Sequence, residues 1–155
     1  MSLKVNLHHL ETRELHLKGE LSVGKLDLGV RDQMIRAEQP LHYDLKVEKL
    51  TAGVLTAGSL RLVLDCECVR CLKPFQRELQ LESWTCLLPL EGEEKAPIDN
   101  DCVDLTPFVR EYILVELPQH PLCKADCSGL EKNSISRSKT VSSPWSELNK
   151  LKIVI

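Results

Sequence analysis

From Leu3 onward apolar and polar residues alternate, with Val5 and Leu7 on one face and then Leu15 and Leu17. That period of two predicts short, half-buried strands. Gly24 and Gly29 interrupt it, and it restarts after Pro40 with Leu41, Tyr43, Leu45 and Val47 on a common face. Gly53 and Gly58 mark a predicted turn. Beyond it Leu60, Leu62, Leu64 and Cys66 oppose Arg61, Val63 and Asp65, and after Pro74 the residues Leu79 and Leu81 alternate with Glu78, Gln80 and Glu82. Two such runs joined by CVRCLKP predict a hairpin that carries Cys68 and Cys71 at its tip.

The period lengthens in DLTPFVREYILVELP, residues 104–118. Asp104 or Thr106 can accept a hydrogen bond from a free amide at a helix start, and Pro107 suits the first turn. Leu105, Phe108, Tyr112 and Val115 then recur every three to four residues, until Pro118 forces its predecessor out of the helical region. Val109, Ile113 and Leu117 are also apolar, so the pattern leaves only a narrow stripe around Arg110 and Glu111 for solvent. This helix is expected to lie against the sheet.

Between sheet and helix, residues 91–104 are poor in apolar side chains and predict a solvated loop, with Ile98 and Val103 as anchors. The serine-rich residues 131–143 predict a flexible linker. Residues 144–155 predict a short C-terminal docking helix, capped by Ser143 and opened by Pro144, with Trp145, Leu148 and Leu151 on one face. So short a helix is marginal alone and needs a surface. The expected fold is therefore α+β: residues 1–130 form a single domain, an antiparallel, partly open barrel-like sheet with one buried helix packed on it, followed by linker and short C-terminal helix.

Composition narrows the function. Of 155 residues, 43 % are apolar and 28 % charged, as in a soluble globular protein. No apolar run suits a bilayer span or a signal peptide, so a cytoplasmic protein is expected. A net charge of -3 argues against a stand-alone nucleic-acid binder, which normally carries a cationic surplus. The charge is unevenly placed, however: residues 91–104 hold six acidic side chains and one lysine, whereas residues 131–155 hold five basic and two acidic. Six scattered aromatic residues are too few for a base-stacking platform, so any RNA contact has to come from shape and charge. Positive charge concentrates in a turn (Arg70, Lys73, Arg77) and a tail (Lys132, Arg137, Lys139, Lys150, Lys152), which are the candidate phosphate or partner contacts.

Seven cysteines in a reducing compartment point to ligands, catalysts or core fillers before disulfides. Cys68-Val-Arg-Cys71 and Cys123-Lys-Ala-Asp-Cys127 are two close pairs separated by 51 residues. Each pair can bend two sulfurs toward one ion, and together they complete a tetrahedral thiolate site for zinc. Closing the intervening loop costs roughly 3 to 4 kcal/mol plus a constant, whereas structural zinc binds small peptides with an apparent ~10 to 16 kcal/mol. The same four residues also read as free thiols, or as a thiol redox pair at Cys68 and Cys71. The redox reading lacks the helix amino terminus that usually acidifies such a pair. Cys66, Cys86 and Cys102 read as core thiols, and His120 as a surface residue. No nucleophile elbow, phosphate loop or acidic metal cage is present, so no enzyme is expected.

The ordered set C-x-R-C-L (Cys68 to Leu72), D-L-x-P-x-V-R-E-x-I-L-x-x-L-P (Asp104 to Pro118) and P-L-C-x-x-x-C-x-G-L (Pro121 to Leu130) resembles the bacterial YceD-like family, the large ribosomal RNA subunit accumulation proteins. The closing PWSELNKLK is similar to that family's carboxy-terminal segment. The resemblance implies a non-enzymatic factor for accumulation of 23S ribosomal RNA, acting through large-subunit ribosomal RNA or a ribosomal protein, without a small-molecule substrate or a membrane. Many members follow the G-L with a further C-x-x-C-G, where this chain has Glu131 and a serine-rich stretch.

Overall fold

In the computed structural model, residues 3–29 and 33–130 are described. The predicted linker, the predicted C-terminal helix and the tail cations Lys132, Arg137, Lys139, Lys150 and Lys152 lie outside the described residues.

Strand β5 (Gly53–Glu67) is the axis of the main sheet, below numbered with β1 (Lys4–Asn6), β2 (Leu15–Leu21), β3 (Ile35–Arg36), β4 (Leu41–Leu50), β6 (Pro74–Pro89), β7 (Ile98–Asp99) and β8 (Cys102–Asp104). Short helices α1 (Leu7–Leu10) and α2 (Val23–Leu26) flank β2, and α3 (Thr106–Glu116) follows β8. Along one edge β5 pairs first with β4 and then, near its end, with β3, through Ile35 opposite Cys66; the other edge pairs throughout with β6. β2 completes the sheet beside β4, and every pairing is antiparallel. A second, small sheet has the order β1-β8-β7. The result is the α+β class expected, with a curled, half-barrel sheet.

The inward residues of β5, Val54, Thr56, Leu60, Leu62, Leu64 and Cys66, are buried, as are Leu41, Tyr43, Leu45 and Val47 of β4. The predicted turn is displaced: the chain reverses at Thr51 and Ala52, with Leu50 opposite Gly53, and Gly58 lies inside β5. Glycine is required there by close approach rather than by a turn. A Cβ on Gly58 would sit 2.1 Å from the carbonyl oxygen of Asp44 on β4. On the opposite edge the register shifts from Gly58–Trp84 to Leu60–Leu81, which leaves one extra residue on β6. That bulge changes the phase of the strand. Before it Leu79 faces inward, and after it Trp84, Cys86 and Leu88 do.

Three further expectations are corrected. Leu7 opens α1 instead of continuing a strand, because Asn6 caps the helix through its side chain on the His8 amide. The acidic stretch is not all loop: β7 and β8 lie within it, Val103 is fully buried opposite Val5, and Ile98 is exposed. Helix α3 buries Leu105, Val109 and Ile113, spaced by four, and Asp104 Oδ1 accepts from the Thr106 amide at 2.9 Å. Its other apolar flank is open. Tyr112 is 43 % exposed and Val115 81 %. Arg110 is drawn to the opposite side, where its Nε donates to the carbonyl of Asp27 at 2.6 Å just beyond α2.

Two glycines give opposite expectations. Gly58→Ala should lower stability by more than about 2 kcal/mol, since backbone must move and φ is +156°. Gly24→Ala, in α2 with nothing within 4 Å of the added carbon, should raise it by up to about 1 kcal/mol. Urea unfolding of both variants checks the pair, and equal effects would contradict the close approach at Gly58.

Candidate metal centre

The inward alternation of β5 does not stop at its last paired residue. Cys68 continues the phase of Leu64 and Cys66 and is fully buried. The chain then folds back tightly: the Leu72 amide donates to the Cys68 carbonyl at 2.9 Å and the Cys68 amide to the Lys73 carbonyl at 3.0 Å. Leu72 takes φ +60° to close this loop. For a residue other than glycine that conformation costs roughly 1–2 kcal/mol, so the surrounding loop has to hold it in place.

The second loop arrives from α3, whose end at Pro118 sends the chain back toward the hairpin tip. The Val69 amide donates to the Pro121 carbonyl at 3.0 Å, which joins the two loops backbone to backbone. Arg70 Nη1 donates to the Cys127 carbonyl at 3.0 Å, and the Cys127 amide closes its own turn on Lys124. The four sulfurs thereby converge. Cys68 Sγ lies 3.7 Å from Cys127 Sγ, Cys71 Sγ lies 3.6 Å from Cys123 Sγ, and all four are within 4.8 Å of one another. They are close enough to hold a metal ion.

Electrostatics reflects this crowding. Backbone N–H groups, that of Cys123 first and that of Cys71 next, stabilise the Cys68 thiolate and bring the group down to about 6 despite its burial. Cys123 is pushed up to about 12, first by its side-chain hydrogen bond with Cys71 and then by burial. One sulfur ionises readily while its neighbour resists, because a second negative charge so close to the first is disfavoured.

Of the other candidates, Cys66 and Cys86 are core thiols raised above the ordinary range by burial, Cys102 is half-buried on β8, and His120 is exposed outside the cluster. Arg70, Lys73 and Arg77 are exposed around the hairpin tip. None of the three has a carboxylate within ion-pair distance among the described residues, whereas Lys18, Lys46, Lys49 and Arg61 each do. Lys124, exposed between the second pair of cysteines, adds a cation that the charge pattern alone did not single out.

The family model described as large ribosomal RNA subunit accumulation protein YceD matches residues 56–152, a stretch that contains all four clustered cysteines and α3. The chain belongs to the YceD family. No curated protein and no solved structure matches it. The YceD match begins inside β5, so the amino-terminal strands, which complete the sheet around that core, lie outside it.

With chelator present, the native protein should leave Cys66 and Cys86 unlabelled by a thiol reagent at neutral pH, because both are buried in the core and their ionisation is suppressed. Labelling at Cys71, Cys102, Cys123 and Cys127, none of them fully buried, should precede denaturation. Mass spectrometry of labelled peptides reads this directly, and early labelling of Cys66 or Cys86 would refute the packing.

Proposed function

We propose that this chain is a non-enzymatic factor in assembly of the large ribosomal subunit, acting in the cytoplasm, and that it grips ribosomal RNA with a zinc-stapled hairpin tip. One observation carries the reading: two cysteine loops from distant parts of the sequence bring four sulfurs within 4.8 Å, and the exposed Lys73, Arg77 and Lys124 at and beside these loops have no carboxylate within ion-pair distance among the described residues. Zinc–sulfur bonds of about 2.3 Å in a tetrahedron place sulfurs roughly 3.8 Å apart, and the two inter-loop distances of 3.6 and 3.7 Å suit that spacing. All-thiolate coordination also suits the amides turned toward Cys68. When bound, the metal supplies a fixed cross-link and neutralises thiolate charge. The chain's own residues do the rest: Arg70 braces the second loop, while Lys73, Arg77 and Lys124 are left free for phosphates.

A thiol redox reading has the acidity of Cys68 in its favour. Two features weigh against it: Cys68 is fully buried, and its loop leaves a strand instead of opening a helix. Support for the ribosomal reading comes from the family, whose description concerns ribosomal RNA accumulation.

Purified protein should carry one zinc per chain. Cys71→Ser or Cys123→Ser should lose it and lower Tm by about 10 °C or more, the shift that a few kcal/mol produce in a domain of this size. Metal analysis with thermal unfolding checks this, and stable, metal-free wild-type protein would reject the staple. Binding to large-subunit ribosomal RNA should weaken steeply with salt. In Lys73→Gln/Arg77→Gln the slope of log K against log salt should fall by roughly 1.5, for two lost phosphate contacts. Salt-insensitive association would instead indicate a ribosomal protein as the partner.

A further inference from the structure

A groove of about 670 Å³ runs between the middle of β6 and the outer flank of α3. Its size is within the roughly 300–1,000 Å³ typical of clefts that hold a ligand. Trp84 and Tyr112, in edge-to-face contact with centroids 5.5 Å apart, form its apolar wall. Val115, the most exposed apolar residue of α3, lies one turn beyond Tyr112 on the same helix. The charged residues that line the groove, Glu82 and Glu116, are both acidic. Trp84 is only 4 % exposed, yet its indole Nε1 has no acceptor among the described residues. A buried donor of this kind normally finds a partner.

We propose that the groove is the docking site of the chain's own residues 144–155. Three features of the sequence fit this occupant. Trp145, Leu148 and Leu151 recur at helical spacing and supply an apolar face for Tyr112 and Val115. Residues 144–155 carry Lys150 and Lys152 against Glu147, a small cationic surplus that suits a groove bordered by glutamates. Reach is sufficient as well. The described chain ends beside the hairpin tip, where a Cβ on Gly129 would lie 3.7 Å from the Arg70 carbonyl. From Pro74 at that tip to Glu82 is about 26 Å of strand, and residues 131–143 can extend to roughly 45 Å.

The groove that opens beside α2 and β3 fits less well, because its lining mixes Arg36 with Asp27 and Glu38. This proposal does not depend on the ribosomal reading, since it concerns how the chain covers its own surface.

Hydrogen exchange on the full-length chain tests it. Wild type is compared with Trp145→Ala/Leu148→Ala, reading residues 80–86 and 106–117, with β4 and β5 as the control for folding. Exchange in the groove segments should accelerate at least about fivefold in the variant while β4 and β5 stay unchanged, and it should do so equally after tenfold dilution. Unchanged exchange in the groove overturns the proposal. Protection in wild type that disappears on dilution overturns it too, by assigning the groove to a second copy. If the double variant disturbs β4 and β5, Glu82→Lys/Glu116→Lys decides: exchange within residues 144–155 should rise, and no change there is equally fatal.

Discussion

The uninterrupted inward alternation of β5 is the constraint on which the rest depends. A slip of one residue would turn Leu60, Leu62 and Leu64 out of the core and carry Cys68 to the opposite face. Because both edges of the strand are paired, β4 and β3 on one side and β6 on the other, its register is fixed twice over. The sulfur of Cys68 thus inherits its position from core packing many residues upstream. Placing a sulfur at the end of a doubly paired strand gives it more rigidity than a free loop could.

The second loop is positioned differently. Leu105, Val109 and Ile113 seat α3 on the sheet, and Pro118 ends the helix so that the chain returns to the hairpin. Two hydrogen bonds, Val69 to Pro121 and Arg70 to Cys127, then align the loops without any sulfur being involved. These two links, one backbone to backbone and one side chain to backbone, hold the cysteine loops against each other. That preorganisation would reduce what a bound metal contributes to loop closure.

Residue type made some of this readable. The β4 and β5 faces could be traced because burial and period agree, and the two cysteine pairs because their spacing permits convergence on one point. Gly58 was misplaced because a glycine inside an alternating run marks either a break or a close backbone approach, and only the distance to Asp44 separates the two. On α3 the apolar residues were too many to define one face, so the choice of Leu105, Val109 and Ile113 over Tyr112 and Val115 rests on tertiary packing. The pairing of β1 with β8 joins three-residue strands across the length of the domain, too short to show a period. At the cysteine site, the left-handed Leu72 and the Val69–Pro121 link are backbone events with no signature in side-chain identity.

The extra residue on β6 also shapes the free edge of that strand. Among the described residues the outer edge of β6 pairs with nothing, and a free, straight edge of that length is a template on which other chains can add strands. The kink divides it into two shorter runs, Pro74–Leu81 and Trp84–Pro89, set at different twists. Neither run offers a long flat ladder of free amides and carbonyls, and outward Glu78 and Gln80 add charge and polarity to the first. An irregularity that aims Trp84 inward therefore also shortens the regular ladder that β6 presents on its free edge.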